Sequence, residues 1–123
     1  MSEARRARLE GELQRVLADL ISREIKDPRV GNVTITAVTL LPDLSLARVY
    51  FVPFAGKQMP EDVRVGLTHA GGFLRGEVGR RLGLRHAPRL EFVFDEQLER
   101  AQKLTDLIDT AVRIDSDRSN ASD

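Results

Sequence analysis

Apolar residues recur at three- and four-residue intervals through the first part of the chain: Leu9, Leu13, Val16, Leu17, Leu20, Ile21 and Ile25. This spacing predicts one amphipathic helix over residues 4–26. Its polar side mixes Arg5, Arg6, Arg8, Arg15 and Arg23 with Glu10, Glu12, Asp19 and Glu24. Asp27-Pro28 ends the helix, because a residue before proline is pushed out of helical backbone. The period then shortens to two. Val33 and Ile35 alternate with Thr34 and Thr36, and the apolar parity shifts to Val38 and Leu40, which predicts a strand over 33–41 with a bulge near Ala37. Pro42-Asp43-Leu44-Ser45 has turn chemistry, and a second strand over 46–54 follows, so the two form an antiparallel hairpin.

After a loop at 55–60, Pro60, Glu61 and Asp62 open a helical stretch over 61–84. Val63, Leu67, Ala70, Phe73 or Leu74, Val78 and Leu82 keep helical spacing there, yet the stretch holds six of the nine glycines. A mid-helix glycine costs roughly 0.5–1 kcal/mol relative to alanine, and adjacent Gly71-Gly72 is the expected break between two helices. Pro88 follows, then a third strand through Leu90, Phe92 and Phe94, then a last helix over 96–113. Residues 114–123 read as a polar, acidic, disordered tail, with 1–113 as the single domain. The order helix, strand, strand, helix, kink, helix, strand makes a two-layer α+β domain, a three-stranded sheet with helices on one face.

Composition narrows the chemistry. The 123 residues include no Cys, which excludes disulfides, thiolate nucleophiles and Cys-based zinc sites. Two histidines, His69 and His86, are too few for a convincing metal or triad site, and no phosphate-binding glycine loop follows a strand. We therefore expect no enzyme, no cofactor, no metal and no small-molecule substrate. No apolar run approaches 18 residues and no secretory signal opens the chain, so no membrane association and a cytoplasmic location are expected. Net charge is zero but unevenly spread: residues 1–90 carry +5 and residues 91–123 carry −5. Sixteen of the 19 basic residues are Arg, the side chain suited to forked phosphate contacts.

The element order resembles the second arrangement of the KH RNA-binding fold. Asp27-Pro28-Arg29-Val30-Gly31 leads into Val33-Thr34-Ile35-Thr36, and Asp43-Leu44-Ser45 into Ala47-Arg48-Val49-Tyr50. Ala70-Gly71-Gly72-Phe73-Leu74-Arg75 precedes Gly79-Arg80-Arg81-Leu82, and Pro88-Arg89-Leu90-Glu91-Phe92 runs into Asp95-Glu96. In this order and spacing, over residues 3–110, these segments resemble the bacterial ribosome-binding factor A family. The resemblance implies a small-subunit assembly factor that binds the immature 30S particle and 16S ribosomal RNA. It also implies help in maturing the 5′ end of that RNA, support of growth in the cold, and release involving a small-subunit GTPase. It puts the family's Ala-x-Gly kink, which replaces the Gly-x-x-Gly loop of ordinary KH domains, on Ala70, Gly71 and Gly72. Where the family often has Ser and Gly after the third strand, this chain has Gln97 and Ala101.

The residues themselves offer RNA contacts. At about 100° per residue, Gly72, Gly76, Gly79 and Gly83 form one stripe, with Arg75 on one side and Arg80 on the other. Either RNA backbone approaches this bare stripe, or another helix packs closely on it. Arg80, Arg81, Arg85 and Arg89, with His86, form the densest basic cluster, and Glu77 is the only acidic residue between 63 and 90. Lys26 and Arg29 flank the helix-ending turn as second candidates, and Arg5, Arg6 and Arg8 form either a mobile arm or a solvated helix end. Low aromatic content, 5%, points to recognition by shape and backbone more than by stacked bases. The chain is expected to be a monomer, and the alternative class is a protein-interaction module using the long first helix and the acidic tail.

Overall fold

The computed structural model describes residues 2–54 and 58–121, with side chains as far as residue 109. Helix α1 spans Glu3–Glu24, and the Ser2 hydroxyl caps it by accepting from Arg5 N at 3.2 Å. Arg5, Arg6 and Arg8 are thus part of a capped helix and not an arm. Strands β1 (Val33–Leu40) and β2 (Leu46–Pro53) pair antiparallel, and the register slips between Ile35 and Ala37, where the apolar parity changes. Helices α2 (Pro60–His69) and α3 (Gly71–Leu82) return the chain to β3 (Arg89–Phe94). That crossover lets β3 lie parallel to β2, so the sheet is mixed, with order β1-β2-β3.

One core joins the layers. Leu9, Leu13, Leu17, Leu20 and Ile21 of α1 meet Val63 and Leu67 of α2, Leu74 and Val78 of α3, and the inward side of the sheet. That inward side is Ile35, Val38 and Leu40, then Ala47, Val49 and Phe51, then Phe92. The bulge lets both halves of β1 point the same way: Thr36 takes the extra position, so Ile35 and Val38 both reach the core. Two α1 side chains also close the outer edge of β1. Glu10 Oε2 accepts from Leu40 N at 2.7 Å, and Gln14 Nε2 donates to Ile35 O at 3.1 Å. An edge strand so covered offers less of its backbone to another chain.

The fourth helix departs from expectation twice. It runs Glu96–Ala121, past the expected end at 113, and the segment read as a tail carries helical backbone to Ala121. No Pro or Gly occurs from 96 to 121 to stop it. Residues 122 and 123 lie outside the described residues, as does the 55–57 part of the expected loop. It also leaves the face used by α1, α2 and α3. Its first turns border a cleft with Val52, Pro53 and Met59, and Val52 is buried on the opposite side of β2 from Val49 and Phe51. Among the described residues no helix is long and apolar enough to cross a membrane.

Candidate nucleic-acid interface

The kink is built on Ala70, one residue before the expected glycine pair. Ala70 sits at φ −81°, ψ 0°, ending α2 and starting α3. Its N–H still donates to Gly66 O at 3.1 Å and its carbonyl accepts from Leu74 N at 3.0 Å, so the hydrogen-bond ladder bends without being severed. Alanine has no polar side-chain atom, and α3 begins without a side-chain cap. Gly71 and Gly72 lie inside α3, and a Cβ on either would meet nothing within 4 Å.

The turn after α1 joins this surface. Val30 is fully buried, and a Cβ on Gly66 of α2 would stand 2.7 Å from Val30 Cγ2. Only glycine lets the Asp27–Gly31 turn sit so closely on α2. Asp27 organises the turn: Oδ1 accepts from Arg29 N at 2.9 Å, and both carboxylate oxygens accept from the Arg29 guanidinium, down to 2.6 Å at Nη2. Arg29's hydrogen bonds hold the Asp27 carboxyl at about 2, below the usual 3.8, with a smaller contribution from the charge of nearby His69. Asp27, Arg29 and the His69 end of α2 therefore form one patch beside the kink, and exposed Lys26 adjoins it in sequence.

Along α3 the four stripe glycines separate by cause. A Cβ on Gly76 would meet open space, as at Gly72. A Cβ on Gly79 would touch Ala87 Cβ at 3.4 Å, so this glycine admits the α3–β3 loop. Gly83 ends the helix at φ +63°, a left-handed conformation that favours glycine. No other helix packs against Gly72 or Gly76 among the described residues, so close helix packing does not explain them.

The arginines separate in the same way. Arg75 spends its guanidinium on Ala87 O, at 2.9 and 3.0 Å, pinning the α3–β3 loop. Arg81 Nη1 bonds Asp19 Oδ2 at 2.7 Å and ties α3 to α1; this bond holds the Asp19 carboxyl below its usual value. Arg80 pairs with Glu77 one turn away and stays largely exposed, lowering the Glu77 carboxyl's pKa. Lys26, Arg85 and Arg89 are exposed and make no side-chain hydrogen bond or ion pair with the described residues. The outward side of the sheet is different in kind, with Arg48 opposite Glu91 at 3.8 Å and the half-buried pair Tyr50 and Val93 next along the same strands. The kink surface is the one with excess positive charge.

One exposed side chain escaped the sequence reading. The spacing allows Phe73 or Leu74 on the apolar face, and Phe73 is 49% exposed, whereas Leu74 is fully buried. The helical wheel carries the signal: Phe73 lies 100° from Gly72, within about 20° of Arg80 and away from Val78. Among the described residues no group of three His, Cys, Asp or Glu side chains is placed to hold a metal.

Comparison with known proteins agrees with this geometry. The family model for ribosome-binding factor A matches residues 5–108. A ribosome-binding factor A of Nitrosomonas europaea is 45% identical over 109 residues, covering 89% of this chain and 93% of the relative. The crystal structure of ribosome-binding factor A from Thermus thermophilus superposes with a TM-score of 0.63 at 36% identity, over 72% of this chain and 93% of that one. A homology model of the Thermus factor, fitted into a cryo-electron microscopy map of its complex with 30S, gives 0.61 at 37% identity, over 71% and 91% of the two chains. With its family model spanning the kink, the sheet and most of α1, this chain belongs to the ribosome-binding factor A family.

Proposed function

We propose that this chain is a non-catalytic small-subunit assembly factor that seats its kink surface on 16S ribosomal RNA in the immature 30S particle. The observation that carries this reading is the bare backbone at Gly72 and Gly76 on an Arg-rich helix, where a Cβ would meet nothing within 4 Å among the described residues. Glycine at such a position sacrifices helix stability and gains only close approach. The related Thermus factor, whose complex is with 30S, supports the same partner. In this reading the α+β frame is the second KH arrangement, with Ala70-Gly71-Gly72 standing where a Gly-x-x-Gly loop would. Residues 1–113 form the RNA-binding unit and 114–123 an appendage to it. Lys26, Arg29, Arg80, Arg85 and Arg89 meet phosphates, while Arg75 and Arg81 act mainly by shaping the surface. The factor occupies immature RNA in the cytoplasm as a monomer, favours 5′-end maturation and growth in the cold, and leaves with help from a small-subunit GTPase.

Co-sedimentation with separated small subunits, large subunits and whole ribosomes over a salt series tests this. Selective binding to free small subunits, weakened by salt, is expected, because phosphate neutralisation releases counterions. Equal binding to all particles would reduce the surface to a generic basic patch. The second reading, a protein-interaction module, has one observation in its favour: Leu104, Leu107 and Ile108 stand exposed on α4. RNA-independent capture of purified ribosomal proteins would favour it.

A further inference from the structure

We infer that Phe73 is a stacking platform for an unpaired RNA base, an inference that rests on the RNA-binding reading above. Only two phenylalanines among the described residues are markedly exposed, Phe54 and Phe73. Phe54 follows the end of β2, with no arginine within five residues on either side. Phe73 is in the first turn of α3, on the edge of the open surface that also carries Arg80. Burial would stabilise a phenylalanine by roughly 1.5–3 kcal/mol, and the buried positions of this helix are taken by Leu74 and Val78. The aromatic ring stays outside while the leucine beside it goes in.

The surroundings select the occupant. Gly72 and Gly76, its neighbours at i−1 and i+3, have no side chains to flank the ring, and a Cβ on either would meet open space. Arg85 and Arg89 are exposed and make no side-chain hydrogen bond or ion pair with the described residues, and Arg80 stays largely exposed although paired with Glu77. A purely apolar protein partner gains nothing from this charge. An RNA strand does: its phosphates take the arginines, its backbone approaches the bare glycines, and one unstacked base lies on the Phe73 ring. This gives the surface a preference for single-stranded or bulged RNA that arginines alone do not confer.

The test compares Phe73→Tyr, Phe73→Leu and Phe54→Leu with the parent chain, measuring affinity for purified small subunits over a salt series. Phe73→Tyr is expected to bind within about twofold of the parent. Phe73→Leu is expected to bind roughly tenfold more weakly with unchanged salt slope, because a stacked ring releases no counterions. Phe54→Leu is expected to match the parent. Equal affinity of Phe73→Leu and parent overturns the inference and leaves the RNA reading standing; so does a Tyr variant as weak as the Leu variant. A parent chain that binds no small subunits removes the RNA reading and the inference together. A second readout uses Phe73→Trp, since the chain has no other Trp. Quenching of its emission in the complex with protein-free 16S ribosomal RNA is expected, and unquenched emission from bound protein overturns stacking.

Discussion

Two glycines ten residues apart, Gly66 and Gly76, answer the same substitution with opposite signs. Gly66→Ala places a methyl 2.7 Å from Val30 Cγ2, a side chain that is itself fully buried, so the turn must shift. Overpacking of this kind costs about 1–3 kcal/mol, and a lower unfolding midpoint in urea is expected. Gly76→Ala meets nothing within 4 Å and restricts only the unfolded chain and the helix backbone. It should stabilise by roughly 0.5–1 kcal/mol and weaken small-subunit binding, a stability gain paired with a functional loss. Unchanged affinity in Gly76→Ala would remove the bare backbone from the interface. The sequence shows both glycines at the same value, because spacing along a helix does not reveal what lies across from each. Asp27 carries a second residue-scale expectation. Its folded-state pKa of about 2 lies below the usual 3.8. The Asp27–Arg29 lock therefore contributes stability that is complete above about pH 5 and is lost as pH falls through 4 toward 2. Asp27→Asn should lower the urea midpoint at pH 6, and the gap to the parent chain should close near pH 2; a gap constant with pH would refute the ionic lock.

Elements are joined in this fold by side chains at their ends, and Asp95 is the clearest case. It follows β3, its N–H continues the ladder by donating to Phe51 O at 2.8 Å, and its Oδ1 accepts from Leu98 N at 3.0 Å at the start of α4. Its Oδ2 accepts from the hydroxyl of Thr36, the extra residue of the β1 bulge, at 2.7 Å. One carboxylate thus caps a helix and ties the strand at the far edge of the sheet to it. Asp95→Ala should cost about 1–2 kcal/mol and raise amide exchange in the first turn of α4, while Thr36→Val should loosen the bulge without uncapping the helix. Exchange unchanged in both variants would deny the link. The bulge itself was legible, because a parity change in an alternating strand has few other solutions. The break between α2 and α3 was legible to within a residue; glycine frequency pointed at Gly71-Gly72, whereas the bend falls on Ala70. The end of α4 was not legible, since polar composition after Ile114 does not by itself stop a helix that meets no Pro or Gly.

At the scale of the whole molecule, the question is which arginines of a basic cluster are free to bind. Arg80, Arg81, Arg85 and Arg89 look alike along the sequence. Asp19, which takes Arg81, is 62 residues away and enters only when α3 crosses α1. Arg23 reaches the same carboxylate at 2.8 Å, so Asp19 holds two guanidiniums at the junction of the two helices. Arg81→Glu puts a second negative charge beside Asp19 and should lower the thermal midpoint, so weaker RNA binding by that variant reports the loosened junction as much as a lost contact. Arg85 and Arg89 have no such partner among the described residues. The double substitution Arg85→Glu, Arg89→Glu should leave the thermal midpoint within about 2 °C of the parent, as expected for exposed side chains. It should weaken small-subunit binding and flatten the salt slope by about two units, one per phosphate contact. Retained affinity and slope would move the RNA surface off the α3–β3 loop, toward the Lys26–Arg29 turn and the kink. The order of effects follows from the fold: the arginines that hold helices together set the shape of the surface, and those left over supply its charge.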